Sequence, residues 1–251
     1  MNLALVIGNK NYSSWSMRPW VLMRQFDIPF TERLIKFHSA DWDAHITQVS
    51  PSKLVPILWE DGLGTGFATW DSLAIMERIA DLFPDKAIWP RDARQRARAR
   101  SVAAEMHSGF RALRGAMPMN IRARHPGKGH TPDALKDVAR VQSLWNECLK
   151  ASGGPFLFGD FTAADAMYAP VVTRFQTYGV ALKGAARDYR MSEGHPVDAE
   201  GGPEGIAGST PSILQQYSQT MLAAKGVADW INDSKSETEF VAEDEPYATA
   251  K

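Results

Sequence analysis

The sequence predicts an α+β chain of two domains, a mixed α/β domain over residues 1–83 followed by an all-α domain over residues 91–251. Three observations predict it. Short apolar runs bounded by Gly, Pro and Asn mix with helical spacing as far as Leu82. After residue 91 helical spacing is nearly continuous and no two-residue alternation appears. Between the two regimes Pro84 and Pro90 bracket a segment without period, which suits a linker.

The elements follow in order. Residues 3–7 (LALVI) form an apolar run ended by Gly8 and Asn9, the pattern of a buried strand entering a polar loop. After Pro19 the spacing of Trp20, Met23 and Phe26 predicts a helix. Residues 32–37 and 55–59 predict two more strands, and Asp61, Gly62, Gly64 and Gly66 supply a turn before a return strand that reaches Thr69. From Asp71 onward, Leu73, Ile75, Met76, Ile79 and Leu82 fall at helical spacing. The stretch between the second and third strands reads as irregular. In the second domain, helices are expected over 92–117, 132–150, 162–182 and 212–230. Five glycines and three prolines mark 189–211 as a loop insertion, and the polar, acidic residues 232–251 are expected to form a flexible tail.

Charge excludes two classes of function. Lys and Arg number 28 against 29 Asp and Glu, so no global field draws the chain to nucleic acid or to an anionic membrane. Arg91, Arg94, Arg96, Arg98 and Arg100 are balanced by acids elsewhere in the chain, and read as a solvated or subunit-contacting surface. The single cysteine, Cys148, falls in an apolar helical pattern and has no internal partner, which fits a reducing, cytoplasmic setting. The first apolar run is too short for a leader or a membrane span. Gly62, Gly64 and Gly66 precede no Gly-Lys-Ser/Thr, so a phosphate loop is not expected. His125 and His130 have no neighbouring Cys or acidic cluster, which argues against a metal, and no Cys-x-x-Cys is present for dithiol chemistry.

Three short motifs carry chemistry. Residues 11–19 (NYSSWSMRP) place hydroxyls between the first strand and the first helix, where unpaired N–H groups and the positive end of the helix dipole favour an anion. Ser14 or Ser16 capping the helix, with Pro19 in its first turn, accounts for the same residues. Residues 54–58 (LVPIL) put a proline at the start of an apolar strand, where it removes no central ladder bond. Asp71 and Ser72 open the next helix and suit either capping or carboxylate binding.

In this order, on this scaffold, the motifs resemble the glutathione S-transferase superfamily over about residues 3–231, apart from 189–211. The SSWSMRPW stretch is similar to the serine-rich active-site loop of the zeta class, and Val55-Pro56 to the family's cis-proline step. Asp71-Ser72 is similar to the acidic-or-Gln then Ser pair opening the third helix, and residues 161–165 (FTAAD) to a helix-capping motif in which Thr162 and Asp165 bond across the first turn. The resemblance implies a thioredoxin-like N-terminal domain, a helical C-terminal domain and a homodimer.

It also implies roles. A serine hydroxyl, Ser13 or Ser14, would hydrogen-bond the glutathione sulfur and favour its thiolate. The zeta match points to Ser13; counting back from Arg18, as in other serine classes, points to Ser14. Lowering a thiol pKa of about 8.5 by two units needs about 2.7 kcal/mol of preference for the anion. A charge-assisted hydrogen bond of about 1.5–3 kcal/mol with a helix dipole of up to about 1 kcal/mol supplies it. Trp15, Leu54, Val55, Pro56, Asp71 and Ser72 would complete the glutathione site: Val55 by backbone pairing, Ser72 on the γ-glutamyl carboxylate and Asp71 on the α-amino group. Lys53, or more weakly His38, would meet the glycine carboxylate. Met106, His107, Phe110 and Arg114 are candidates for the electrophile pocket, with core packing the competing role of Met106 and Phe110.

The sequence departs from the pattern twice. Leu54 stands where relatives often carry Lys or Gln, and Trp15 where the zeta pattern has cysteine, which puts zeta isomerase activity in doubt. The expected function is a glutathione transferase acting on a small apolar electrophile. The alternatives are a glutathione-dependent isomerase of the maleylacetoacetate type and a non-catalytic binding or interaction module.

Overall fold

The computed structural model describes residues 1–182 and 211–248. The expected insertion at 189–211 therefore lies, except for Pro211, outside the described residues.

The N-terminal domain runs β1 (Leu3–Ile7), α1 (Ser14–Gln25), β2 (Thr31–Leu34), α2 (Ala40–Val49), β3 (Ile57–Glu60), β4 (Phe67–Trp70) and α3 (Ser72–Leu82). Its sheet has the order β2-β1-β3-β4. β1 and β2 are parallel with Leu5 opposite Glu32, as the α1 crossover requires, and β3 and β4 add antiparallel with Leu5 opposite Leu58. This is the thioredoxin-like domain the resemblance implied. α1 and α3 cover one face, joining Leu5, Ile7 and Leu58 to the main core, while Val6, Ile35, Ile57 and Trp59 pack with Val49 of α2 on the other.

The α2 helix corrects the expectation of an irregular segment. Ser39 caps it, accepting from Trp42 N–H at 3.1 Å, and Asp41 and Asp43 sit in its first turn. α1 also begins earlier than expected. Its N-cap is Ser13, and Pro19 lies inside the helix rather than in its first turn.

The C-terminal domain is helical: α4 (Ala93–Ser108), α5 (Arg111–Ala116), α6 (Pro132–Ser152), α7 (Ala163–Tyr178), α8 (Ile213–Ala223) and α9 (Lys225–Ser234), then a 3₁₀ turn at Ala242–Asp244. The helix expected over 92–117 is broken at Gly109 and Phe110, where Phe110 takes φ 55° and turns the chain into α5. Residues 212–230 likewise form two helices, separated by an extended Ala224. α7 is buried nearly all round and packs on α1 and α4, so one hydrophobic core spans both domains.

The tail expected to be flexible over 232–251 is docked as far as it is described. Glu237 and Val241 are buried, and the Tyr247 hydroxyl donates to the Ala116 carbonyl at 2.7 Å. Lys10 holds the start of this segment, its ammonium lying between Glu32 at 2.8 Å and Asp233 at 2.6 Å and over the Trp20 ring.

α9 also lies on α1, and close approach at Gly226 permits it. A Cβ there would meet the Val21 carbonyl oxygen at 2.4 Å. Gly226→Ala is expected to destabilise the fold by about 1–3 kcal/mol through overpacking, since backbone cannot yield as a side-chain tip does. Urea unfolding monitored by tryptophan fluorescence checks this; an unchanged midpoint refutes it.

Candidate active site

The cleft between the domains gathers the start of α1, Phe37 and Trp42, residues 54–56, the start of α3, the region from the end of α4 through α5, Arg174 of α7, and the 3₁₀ turn of the tail. Two adjoining cavities occupy it, of about 560 and about 630 Å³, sharing Trp15, Leu54, Val55, Arg111 and Arg114.

Ser13 and Ser14 both line the first cavity, at the positive end of α1. Their hydroxyls differ. Ser13 Oγ donates to Ser16 Oγ at 2.7 Å, and Ser16 in turn accepts from Gly8 N–H at 3.2 Å. Among the described residues the Ser14 hydroxyl has no hydrogen-bond partner. Tyr12 shares the lining, but its phenol lies 2.6 Å from Glu245 Oε1 and 3.0 Å from the Glu239 carbonyl, and accepts from Arg122 at 3.2 Å. Burial and then Glu245 raise its pKa, so the phenol stays neutral and occupied.

The second cavity carries backbone and side-chain groups that are left unpaired among the described residues. The Val55–Pro56 peptide is cis. Among the described residues, the Val55 backbone N–H and carbonyl pair with nothing, while Ser50 Oγ pins Leu54 by accepting from its N–H at 3.0 Å and donating to its carbonyl at 2.7 Å. Asp71 takes φ 74° and caps α3, its Oδ1 accepting from Leu73 N–H at 2.9 Å. Its other oxygen pairs with His107 Nε2 at 2.7 Å. Ser72, 1% exposed, lines the cavity with a hydroxyl that has no partner among the described residues. A buried polar atom without a partner at a helix N-terminus is what a bound carboxylate satisfies.

Two family models match: "Glutathione S-transferase, N-terminal domain" over residues 12–82 and "Glutathione S-transferase, C-terminal domain" over residues 93–197, together more than half of the chain. The chain belongs to the glutathione S-transferase family. Maleylacetoacetate isomerase of Rattus norvegicus is 25% identical over 171 residues, covering 67% of this chain and 76% of that protein. Protein IN2-1 of Zea mays is 25% identical over 186 residues, covering 74% and 69%. Among solved structures, a glutathione transferase homolog from Burkholderia GL BGR1 with bound glutathione superposes with TM-score 0.64 at 20% identity, covering 94% of this chain and all of that one. Glutathione transferase Omega 2C from Trametes versicolor gives TM-score 0.61 at 19% identity over 94% and 97%.

Within this glutathione S-transferase the cleft brings together Ser13, Ser14, Trp15, Leu54, Val55, Pro56, Asp71, Ser72, His107 and Arg114. It does not bring in the rest of the sequence-derived set. Lys53 is exposed at φ 58° and lines neither cavity. His38 pairs with Glu243 of the tail. Met106 is fully buried in the core, and Phe110 is the N-cap of α5; neither lines a cavity.

Sequence reading named Trp15, His107 and Arg114 as site candidates but missed Arg18, which joins them at the Trp15 ring. That ring has the Arg18 guanidinium at 4.0 Å and that of Arg114 at 5.2 Å, with His107 edge-on at 5.4 Å. Arg18 is fully buried, donates from Nε to the Met167 carbonyl at 3.1 Å, and among the described residues has no partner for Nη1 or Nη2. Burial, then Arg174 and Arg114, hold its pKa well below the usual arginine range. Arg174 donates to the Met117 carbonyl at 2.8 Å, and burial with Arg114 nearby lowers it to about 10. Opposite stands Asp244 of the tail, whose carboxyl burial pushes up to about 6 against the pull of Arg174. Among the described residues no group of three His, Cys, Asp or Glu converges as a metal site would, and no helix is long and apolar enough to cross a membrane.

Proposed function

We propose that this glutathione S-transferase binds glutathione across the second cavity and ionises its thiol at Ser14, for attack on an electrophile held in the first. The observation that carries the reading is the free Ser14 hydroxyl at the N-terminus of α1, beside a Val55 backbone and a Ser72 hydroxyl that lack partners among the described residues. Val55 pairs as an added strand with the cysteinyl unit, Ser72 takes the γ-glutamyl carboxylate, and Asp71, already held by His107, takes the α-amino group. The glycine carboxylate then falls to Arg111 or Arg114 rather than Lys53, because only those guanidiniums reach both cavities. Ultraviolet titration of bound glutathione tests this: the thiolate forms below the free-thiol pKa of about 8.5. Binding with an unshifted pKa establishes the non-catalytic module instead.

The electrophile wall mixes Phe37, Trp42, Leu54 and Pro118 with Arg111, Arg114 and Arg174, so an apolar body fits it. Asp244 makes anion binding there depend on pH. Above about pH 6 its carboxylate cancels part of the arginine charge; below, it is neutral and the cavity is more positive. An S-alkylated glutathione is expected to bind roughly 2–5-fold tighter at pH 5.5 than at pH 7.5, the scale of one partly screened ion pair. Asp244→Asn should remove that dependence. Calorimetric titration checks both, and an unchanged slope in the variant rejects the role.

The isomerase reading stays second, carried by relatives named maleylacetoacetate isomerase at 25% identity; direct assay with maleylacetoacetate decides it. We also infer a homodimer, supported by Phe67 and Trp70 exposed on β4, and a cytoplasmic role in detoxification, supported by the buried, unpaired Cys148. Sedimentation at the monomer mass of 27.8 kDa excludes the dimer, and cell fractionation tests the location.

A further inference from the structure

We infer that Glu237 is a positioning residue of the active site: its carboxylate clamps the loop between β1 and α1 and so sets where Ser13 and Ser14 stand. This rests on the reading of the cleft as a thiol-ionising site. It concerns a segment outside both family-model matches, which end at residue 197.

The loop at residues 8–13 lies in no regular element, and Lys10 and Asn11 direct their amides at a residue more than two hundred positions away. Lys10 N–H donates to Glu237 Oε1 at 2.6 Å and Asn11 N–H to Oε2 at 2.9 Å. Glu237 is only 5% exposed. Around it the loop is held on every side. Trp230 Nε1 donates to the Lys10 carbonyl at 2.8 Å, Asn11 Nδ2 donates to Asn120 Oδ1 at 2.9 Å, and Asn11 Oδ1 accepts from Arg122 N–H at 2.9 Å. The Arg122 side chain donates to the Glu237 carbonyl and, at 2.8 Å, to that of Glu239, closing the ring.

The serines inherit this geometry. Ser13 N–H donates to the Asn9 carbonyl at 2.7 Å and Ser14 N–H to the Tyr12 carbonyl at 2.8 Å, so residues 9–12 place both. Residues 8–13 are buried, Asn11 completely and Lys10 at 5% exposure, so the two amides need an acceptor supplied by the protein. Burying a carboxylate to reach them is unfavourable, and burial does raise the Glu237 pKa. One carboxylate that accepts from two adjacent amides fixes a single loop conformation, which catalysis needs to within about half an ångström.

The experiment compares Glu237→Gln and Glu237→Asp with Tyr247→Phe in the full chain. Gln offers one acceptor oxygen and turns its amide toward the second N–H; Asp keeps the charge one methylene short. Tyr247→Phe loosens the same tail without touching the loop. In Glu237→Gln the bound glutathione thiol is expected to titrate about one pKa unit higher than in wild type, with kcat near neutral pH down roughly tenfold. KM for glutathione should change less than about threefold, since the Val55 and Ser72 contacts remain. Glu237→Asp should lie between, and serves alone if the Gln variant does not fold. A wild-type thiol pKa in folded variants overturns the inference and leaves the proposed function standing. The same shift in Tyr247→Phe assigns the effect to general docking of the tail and overturns it too. An unshifted thiol in wild type itself removes both.

Discussion

Replacing Ser14 with alanine is expected to move the bound glutathione thiol back toward about 8.5 and to lower kcat/KM at pH 6.5 by roughly 10- to 100-fold, the worth of one hydrogen bond to a charged group. The reason is occupancy. Both serines line the cavity at the start of α1, but Ser13 already donates its proton to Ser16, whereas Ser14 has no partner among the described residues. A hydroxyl proton given to Ser16 is not available to sulfur. Ser13→Ala should therefore cost only a few-fold, through the loosened Ser16 and Gly8 bonds. Stopped-flow pH profiles of the two variants separate them. Should Ser13→Ala abolish the thiolate while Ser14→Ala keeps it, the assignment reverses.

Asp165→Ala is expected to be the most destabilising single change, at about 3 kcal/mol or more. The carboxylate sits fully buried at the start of α7. Its Oδ2 accepts from the Thr162 N–H at 2.9 Å and hydroxyl at 3.2 Å; its Oδ1 accepts from Leu157 N–H at 3.0 Å and the Tyr217 hydroxyl at 3.2 Å. Removing it strands several buried donors, at about 1–3 kcal/mol each. Asn does not rescue, because its NH₂ would face donors. A loss of that size lowers Tm by roughly 6–12 °C in a chain of this length, which calorimetry reads directly. A fall of less than 2 °C contradicts the argument.

The same group carries a pH signature. Burial pushes the Asp165 carboxyl up from 3.8 to about 6, against hydrogen bonds that pull it down. The folded chain thus holds that proton more tightly than the unfolded one between those values. By linkage, its contribution to stability is full below about pH 4 and lost as pH rises through about 6. Denaturant midpoints across that window should show this slope in wild type and not in Asp165→Ala.

By itself the sequence determined what depends on neighbours in the chain. The 3–7 strand, the Asp71 cap and the long helix from Pro132 each sit within a few residues of the groups that define them, so composition and spacing sufficed; the cis Val55-Pro56 step and the Thr162–Asp165 pair came from the family resemblance. The resemblance those motifs carry led to the family and to most of the cleft. Where local signal thinned, reading failed. α2 buries only Ile46 and Val49, too little apolar period to register, and with it went the cavity residues Phe37 and Trp42 beside it. The tail looked free because its anchors are hydrogen bonds, Glu237 accepting from backbone N–H groups and Tyr247 donating to a backbone carbonyl, and such bonds leave no hydrophobic period.

Only the tertiary structure decided which side chains meet. It brought Arg18 and Arg114 to the ring of Trp15, left the Ser72 hydroxyl and Arg18 Nη1 and Nη2 without partners among the described residues, moved Lys53 and Met106 out of the site, and set Asp244 against Arg174. The physical reason is that a helix or strand is settled by periodic burial along one segment, whereas a site is a convergence of segments whose separation in the chain carries no trace of their distance in space.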